Sequence, residues 1–202
     1  CVEHWKIDVI AFNQDYSPYA LERDNKIIEL CMKRNLELVY TTDYYLHEPK
    51  TVFSSSGKPY QKFTPYYNTA KSKKVDAPAS ARKINFKTST SQIPNKISLQ
   101  EALSKFTKVN PDILVHGGRE NAIKQLKIAA KNIKNYNKSR DQLIYPTSEL
   151  SAFIKFGCVS IREVYKTFHS KSDFIRQLYW RDFYAQILYH FPRVLGHSLK
   201  PK

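Results

Sequence analysis

Two groups of side chains stand out for the chemistry they could do. Thr147, Ser148 and Ser151 fall at an expected helix N-terminus, where free backbone amides and the positive end of the helix dipole suit a phosphate. Three hydroxyls there can hold a pyrophosphate, or they are an ordinary helix cap. Tyr136 and Arg140 lie just upstream and add a ring and a cation. Gln177, Trp180, Arg181 and Tyr184 recur at i, i+3, i+4 and i+7, one face of a helix. An amide, an indole, a guanidinium and a phenol on one face can stack on a base, pair with its edge and touch a phosphate. The same four residues also read as a core stripe, with Trp180 packed and Arg181 paired to Asp182 or Glu149.

The chain that must position them has 202 residues, with 33 Lys+Arg against 18 Asp+Glu and a net charge of +15. A field of that size draws polyanions, nucleic acid above all, although lysines scattered over a solvated surface give the same total. With 42% hydrophobic and 13% aromatic residues the chain can bury a core. No apolar run reaches the ~20 residues of a bilayer span, so the expectation is a soluble, intracellular protein without membrane association. Cys1, Cys31 and Cys158 share no metal or disulfide spacing. There is no phosphate-binding glycine loop, no metal-spaced His/Cys set and no Ser-His-Asp arrangement.

Ile7–Phe12 is expected as a buried strand, then a helix opened by Pro18 with Asp15 or Ser17 at its cap, and Leu36–Tyr40 as the next strand. This β–α–β unit predicts a parallel sheet. Two strands make a poor domain, so the chain is expected to be a fragment or a processed product. Ser54–Pro59 is a turn cluster, and the Phe63–Tyr67 aromatics are expected to pack on the preceding unit. Residues 71–95 lack a period and read as a linker. Ser98/Glu101 and Ser160/Glu163 are capping boxes, the first ahead of a helix with Leu99, Ala102 and Leu103 inward. Ala122, Ile123, Leu126, Ala129, Ala130 and Ile133 line an amphipathic helix. Ser148–Phe156 is expected to be a helix ended by Gly157, and Asp173 to cap a long helix stopped near Phe191-Pro192.

In order along the chain, several segments resemble the DNA photolyase/cryptochrome family, in its class I-like form. They are Phe12-Asn-Gln-Asp-Tyr-Ser-Pro-Tyr…Arg23-Asp24, Gly57-Lys-Pro-Tyr-Gln-Lys-Phe-Thr-Pro-Tyr66, Thr147-Ser-Glu-Leu-Ser151, Lys155-Phe-Gly157, Ser160-Ile-Arg-Glu-Val-Tyr165 and Gln177-Leu-Tyr-Trp-Arg-Asp-Phe-Tyr184. The resemblance implies a Rossmann-like α/β fragment over 1–70, a connector over 71–117 and the start of an all-α FAD-binding region over 118–202. It implies FAD contacts at Tyr136, Thr147, Ser148, Glu149, Leu150 and Ser151. Arg140, Gln177, Trp180, Arg181 and Tyr184 would meet ultraviolet-damaged DNA, and no catalytic residue is expected in this stretch. The implied activity is light-driven splitting of pyrimidine dimers, with a cryptochrome-like photoreceptor or an inactive DNA-binding piece as alternatives. Gln177 stands where many cyclobutane-dimer enzymes carry Glu, which leaves the lesion type open. Tyr19-Ala20 falls where folate-binding members carry Asn-Glu, so a folate antenna is not supported. The resemblance covers the family's middle, and a second polypeptide supplying the C-terminal half is a partner it allows.

Overall fold

The computed structural model describes residues 2–79, 96–108, 110–133 and 136–200. Residues 1–78 with 117–202 form one compact unit and residues 79–116 a second. Arg82-Lys83 and Thr88–Ser91 of the expected linker, and Cys1, lie outside the described residues.

The β–α–β unit forms as anticipated. Strands β1 (Val9–Asn13) and β2 (Glu37–Thr41) pair in parallel from Val9↔Glu37 to Asn13↔Thr41. Between them runs α2 (Pro18–Arg34), after the short helix α1 (Val2–Trp5). The Ser17 hydroxyl accepts from the Ala20 amide at 3.3 Å, and Pro18 sits where a missing N–H costs nothing. Asn35, at φ 51°, ends the helix in the left-handed region. The strands are not buried as expected: none of their residues is, because a two-stranded sheet has two open edges and little to cover its faces. On α2 only Ala20, Asp24 and Cys31 are buried, and Leu30 and Met32 are exposed.

The pillar of the larger unit is α9 (Ser172–His190). Buried residues occur all round it, from Phe174 and Ile175 through Tyr179, Asp182 and Phe183 to Ile187, as they must on a helix surrounded by protein. The strap from Asp43 to Tyr60 and helix α3 (Phe63–Ala70) wrap it. The Phe63–Tyr67 aromatics therefore pack on α9, not on the β–α–β unit. Phe63 stacks on Trp180 at 3.6 Å and 7°, Tyr66 meets Phe183 at 5.3 Å, and Tyr67 meets Tyr179 edge-on at 5.3 Å. These rings bury more apolar area on the long helix than a two-stranded sheet could offer.

After Gly118 (φ 100°) the unit is helical. Helix α5 (Arg119–Asn132) buries Ala122, Leu126 and Ala129, with Ile133 just beyond, as the spacing predicts, whereas Ile123 is half-buried and Ala130 is exposed at the margin of the stripe. A single turn α6 (Tyr136–Ser139) follows. Helix α7 covers only Ser151–Lys155, shorter than the expected Ser148–Phe156, because Glu149 adopts φ 53° and breaks the helical path before it. Its end is as expected: the Cys158 and Gly157 amides donate back to Phe153 and Ile154, with Gly157 at φ 67°. Helix α8 (Ile161–Phe168) starts in the Ser160/Glu163 capping box, and Arg119 forks onto Glu163 with two contacts of 2.6 Å. Asp173 lies in the first turn of α9 and is not its cap, since the helix begins one residue before it.

In the second unit, α4 (Leu99–Phe106) begins in the Ser98/Glu101 capping box. Its apolar side is not inward: no residue of α4 is buried, and Leu99 and Leu103 are exposed. A capping box sets where a helix starts but supplies no surface to cover it.

Candidate functional site

The first group of candidate residues lies where α5, α6 and the approach to α7 meet. Tyr136 is half-buried, sets its ring edge-on to Phe174 at 5.2 Å, and has its phenol pKa pushed up by burial. Arg140 is exposed beside Asp141, 3.4 Å away. Gln125 on α5 fixes the next segment by donating to the Ser148 carbonyl at 3.0 Å and to the Glu149 carboxylate at 3.4 Å. The Ser148 hydroxyl accepts from the Leu150 amide at 3.5 Å. Leu150 is fully buried, so only its backbone can face a ligand. Thr147 and Ser151 are exposed. The hydroxyls do not ring a long helix's mouth as expected, because α7 has five residues and no side-chain cap.

Tyr136, Thr147 and Ser148 nevertheless come together, lining one small cavity with Ile133, Ser139 and Pro146. At about 20 Å³ it holds little more than a water. A larger cavity of about 500 Å³ shares Asn132, Ser139 and Pro146 with it and is further lined by Lys138, Gln142 and Tyr145. That volume suits a small organic ligand. A cation, a hydroxyl, two amides and a phenol ring there can meet a phosphate and a flat ring system. Sequence reasoning missed Lys138, Gln142 and Tyr145, which carry no spacing pattern and converge only through the turn after α6.

The second group lies on α9, and the structure separates its members. Trp180 stacks on Phe63 and lies 5.5 Å and 26° from the Tyr184 ring. Tyr184 is 64% exposed and Gln177 half-buried. Arg181 is committed elsewhere: it donates to the Tyr44 carbonyl and lies 4.5 Å and 4.9 Å from the Tyr44 and Tyr45 ring centres. The carboxylate of Asp182 accepts from the Leu46 and His47 amides at 2.9 Å and 3.0 Å. Burial pushes its pKa up to about 7 against those hydrogen bonds and the nearby Arg181 and Arg162. The core reading holds for Arg181, which faces the strap and lies 3.8 Å from Asp182, and for Trp180, which packs on Phe63, while Tyr184 is exposed. The cavity lined by Thr147 and Ser148 receives nothing from Gln177, Trp180, Arg181 or Tyr184. The first group reaches α9 where Tyr136 touches Phe174, near the start of that helix.

Among the described residues no cluster of His, Cys, Asp and Glu could hold a metal, Cys31 and Cys158 are free thiols, and no helix is long and apolar enough to cross a membrane.

Residues 1–83 match the family model for DNA photolyase. The deoxyribodipyrimidine photo-lyase of Alkalihalophilus pseudofirmus is 29% identical over 198 residues, covering 93% of this chain and 41% of the relative. Cryptochrome-1 of Aedes aegypti is 22% identical over 98% of this chain and 44% of its own. Among solved structures, the archaeal photolyase of Sulfolobus tokodaii, which contains two FAD molecules, superimposes with a TM-score of 0.76 at 32% identity, covering 95% of this chain and 41% of that one. The parallel β–α–β unit, the helical part around α9 and the ordered motifs thus agree with these matches: the chain is similar to DNA photolyases and cryptochromes and spans about two fifths of the length of the relatives it matches.

Proposed function

We propose that this chain contributes FAD- and DNA-binding surfaces to light-driven repair of pyrimidine dimers. The observation that carries the reading is the cavity of about 500 Å³ beside Tyr136, Thr147 and Ser148, with Lys138, Ser139 and Gln142 on its wall. Its donor set fits FAD: Lys138 and Ser139 would take phosphate oxygens, Asn132 and Gln142 would hydrogen-bond polar edges, and Tyr145 or Tyr136 would pack on a ring. When bound, FAD supplies the light-driven one-electron chemistry of dimer cleavage. The protein's part is to bind, orient and exclude water, which the buried Leu150 and the Gln125 clamp on Ser148 support by fixing the wall. Arg140, Gln177, Trp180 and Tyr184 are the DNA-facing residues of this reading. Arg181 serves it indirectly, by holding the strap at Tyr44.

The test is FAD titration followed by blue-light treatment of a dimer-bearing oligonucleotide. Retained flavin absorbance, lost in Lys138→Gln, supports the site. A colourless protein that leaves dimers intact refutes the activity for this chain. The stacking of Phe63 on Trp180 favours a second reading, a cryptochrome-like light sensor, because part of the indole is spent inside the protein. Light-dependent partner capture without repair would select it.

A further inference from the structure

Arg176 and Lys71 are cations held over rings and, among the described residues, left without acidic partners. The Arg176 guanidinium, in the first turns of α9, lies 5.3 Å from the ring centres of both Phe63 and Tyr67. The Lys71 ammonium, just past α3, lies 5.2 Å from the Tyr67 ring. Phe63 and Tyr67 stack at 5.6 Å and 18°, so the run continues from Lys71 and Tyr67 through Phe63 and Trp180 to the exposed Tyr184. Both cations are exposed, and among the described residues no carboxylate pairs with either. Arg181 shows the contrast, since its guanidinium is spent on a carbonyl. Arg176 stands four residues before Trp180 and eight before Tyr184, on the same side of the helix, whereas Arg181 is about 100° round from Trp180.

A guanidinium or ammonium resting on a ring has lost much of its rotamer freedom while its N–H edges stay open to an anion. With a net charge of +15, the occupant that matches such a strip is a nucleic-acid strand, whose phosphates meet the cations and whose bases meet the terminal ring. We infer that Arg176 and Lys71 bind backbone phosphates of a nucleic-acid strand lying along the Tyr67–Phe63–Trp180–Tyr184 edge. This rests on the proposal that Trp180 and Tyr184 face DNA, and it replaces Arg181 with Arg176 as the arginine of that face.

The experiment is anisotropy of a labelled, undamaged single-stranded oligonucleotide with the whole chain across a salt series. Each phosphate contact on a single strand contributes about 0.7 to the slope of log affinity against log salt. The double variant Arg176→Gln/Lys71→Gln should therefore lower the slope by about 1.4, and Arg176→Lys should keep it. Preference for damaged over undamaged DNA should not change, because phosphate contacts carry no base information. Should Arg176→Gln lower the melting midpoint, Lys71→Gln alone, at a solvated lysine, must still remove about 0.7. Unchanged slopes in both variants overturn the inference and leave the repair reading standing. Binding lost only for anionic vesicles also overturns it, in favour of a membrane surface. A wild-type chain that binds no DNA at any salt removes the parent proposal itself.

Discussion

The strap over α9 and the stretch from Tyr136 to Ser151 are held by different means. The strap is fastened by buried polar contacts: Asp182 to the Leu46 and His47 amides, Gln186 to the Tyr60 carbonyl at 2.8 Å and His190 to the Pro49 carbonyl at 3.1 Å. Aromatic stacking around Trp180 completes it. The other stretch hangs on the Gln125 amide, a short turn and a five-residue helix, and it borders a cavity of about 500 Å³. One region spends its polar groups on tying distant parts of the chain together; the other has Lys138, Gln142 and Tyr145 lining its cavity. That difference separates scaffold from proposed site, and it moves Arg181 into the scaffold.

The sharpest way to break the contrast is Asp182→Ala, which strands two buried amides and should cost about 3 kcal/mol in urea unfolding. Asp182→Asn keeps an acceptor and, below about pH 4 where the wild-type carboxyl is protonated, should cost under about 1 kcal/mol. The same residue gives a pH test. Its carboxyl holds a proton more tightly folded, with a pKa of about 7, than unfolded, near 3.8. Its contribution is therefore complete below about pH 4 and declines as pH rises toward 7. The stability of wild type relative to Asp182→Asn should fall by roughly 3 kcal/mol across that window. His47, whose pKa burial lowers, is present in both proteins, so their difference isolates Asp182. A flat difference would mean that the Leu46 and His47 amides and the nearby arginines offset the burial in full.

Next in size, Trp180→Ala should cost about 3 kcal/mol through lost packing, and a double-mutant cycle with Phe63→Ala should return about 1 kcal/mol of coupling. If Trp180→Ala instead left stability alone and weakened lesion binding by ~1–3 kcal/mol, the ring would belong to the site. Arg119→Gln should cost no more than about 1 kcal/mol, measured by thermal melting, because Arg119 is largely exposed and salt screens the pair. Smallest in stability is Ser148→Ala, within about 0.5 kcal/mol, yet flavin titration should show FAD affinity weakened by about 1 kcal/mol. A stability loss larger than the binding loss there would turn the second region into scaffold too.

Much of the fold was legible because its signals are local. Ser17 with Pro18, the Ser98 and Ser160 boxes and Gly157 each act within one helical turn, and each does what its residue type dictates. Burial was less legible, as Val9, Leu30 and Leu99 show, because an apolar residue does not say whether a partner surface exists. At the site, Tyr136, Thr147 and Ser148 converge as their types suggested, whereas the helix meant to carry the hydroxyls is cut short by Glu149. Helical spacing put Gln177, Trp180, Arg181 and Tyr184 on one helix correctly. It could not show that Phe63, 117 residues earlier, would cover one side of the indole, or that Tyr44 would claim the guanidinium.

The Asp182 fastening has a consequence for how the molecule is made. Its partners lie 136 and 135 residues earlier in the chain. At roughly 5–20 residues per second, the ribosome needs on the order of ten seconds after releasing the strap to deliver the helix that receives it. Throughout that interval Tyr44, Leu46, Phe63 and Tyr66 have no α9 to lie on, so the nascent chain carries a sticky, half-made surface that a chaperone must shield or that finds the wrong neighbour.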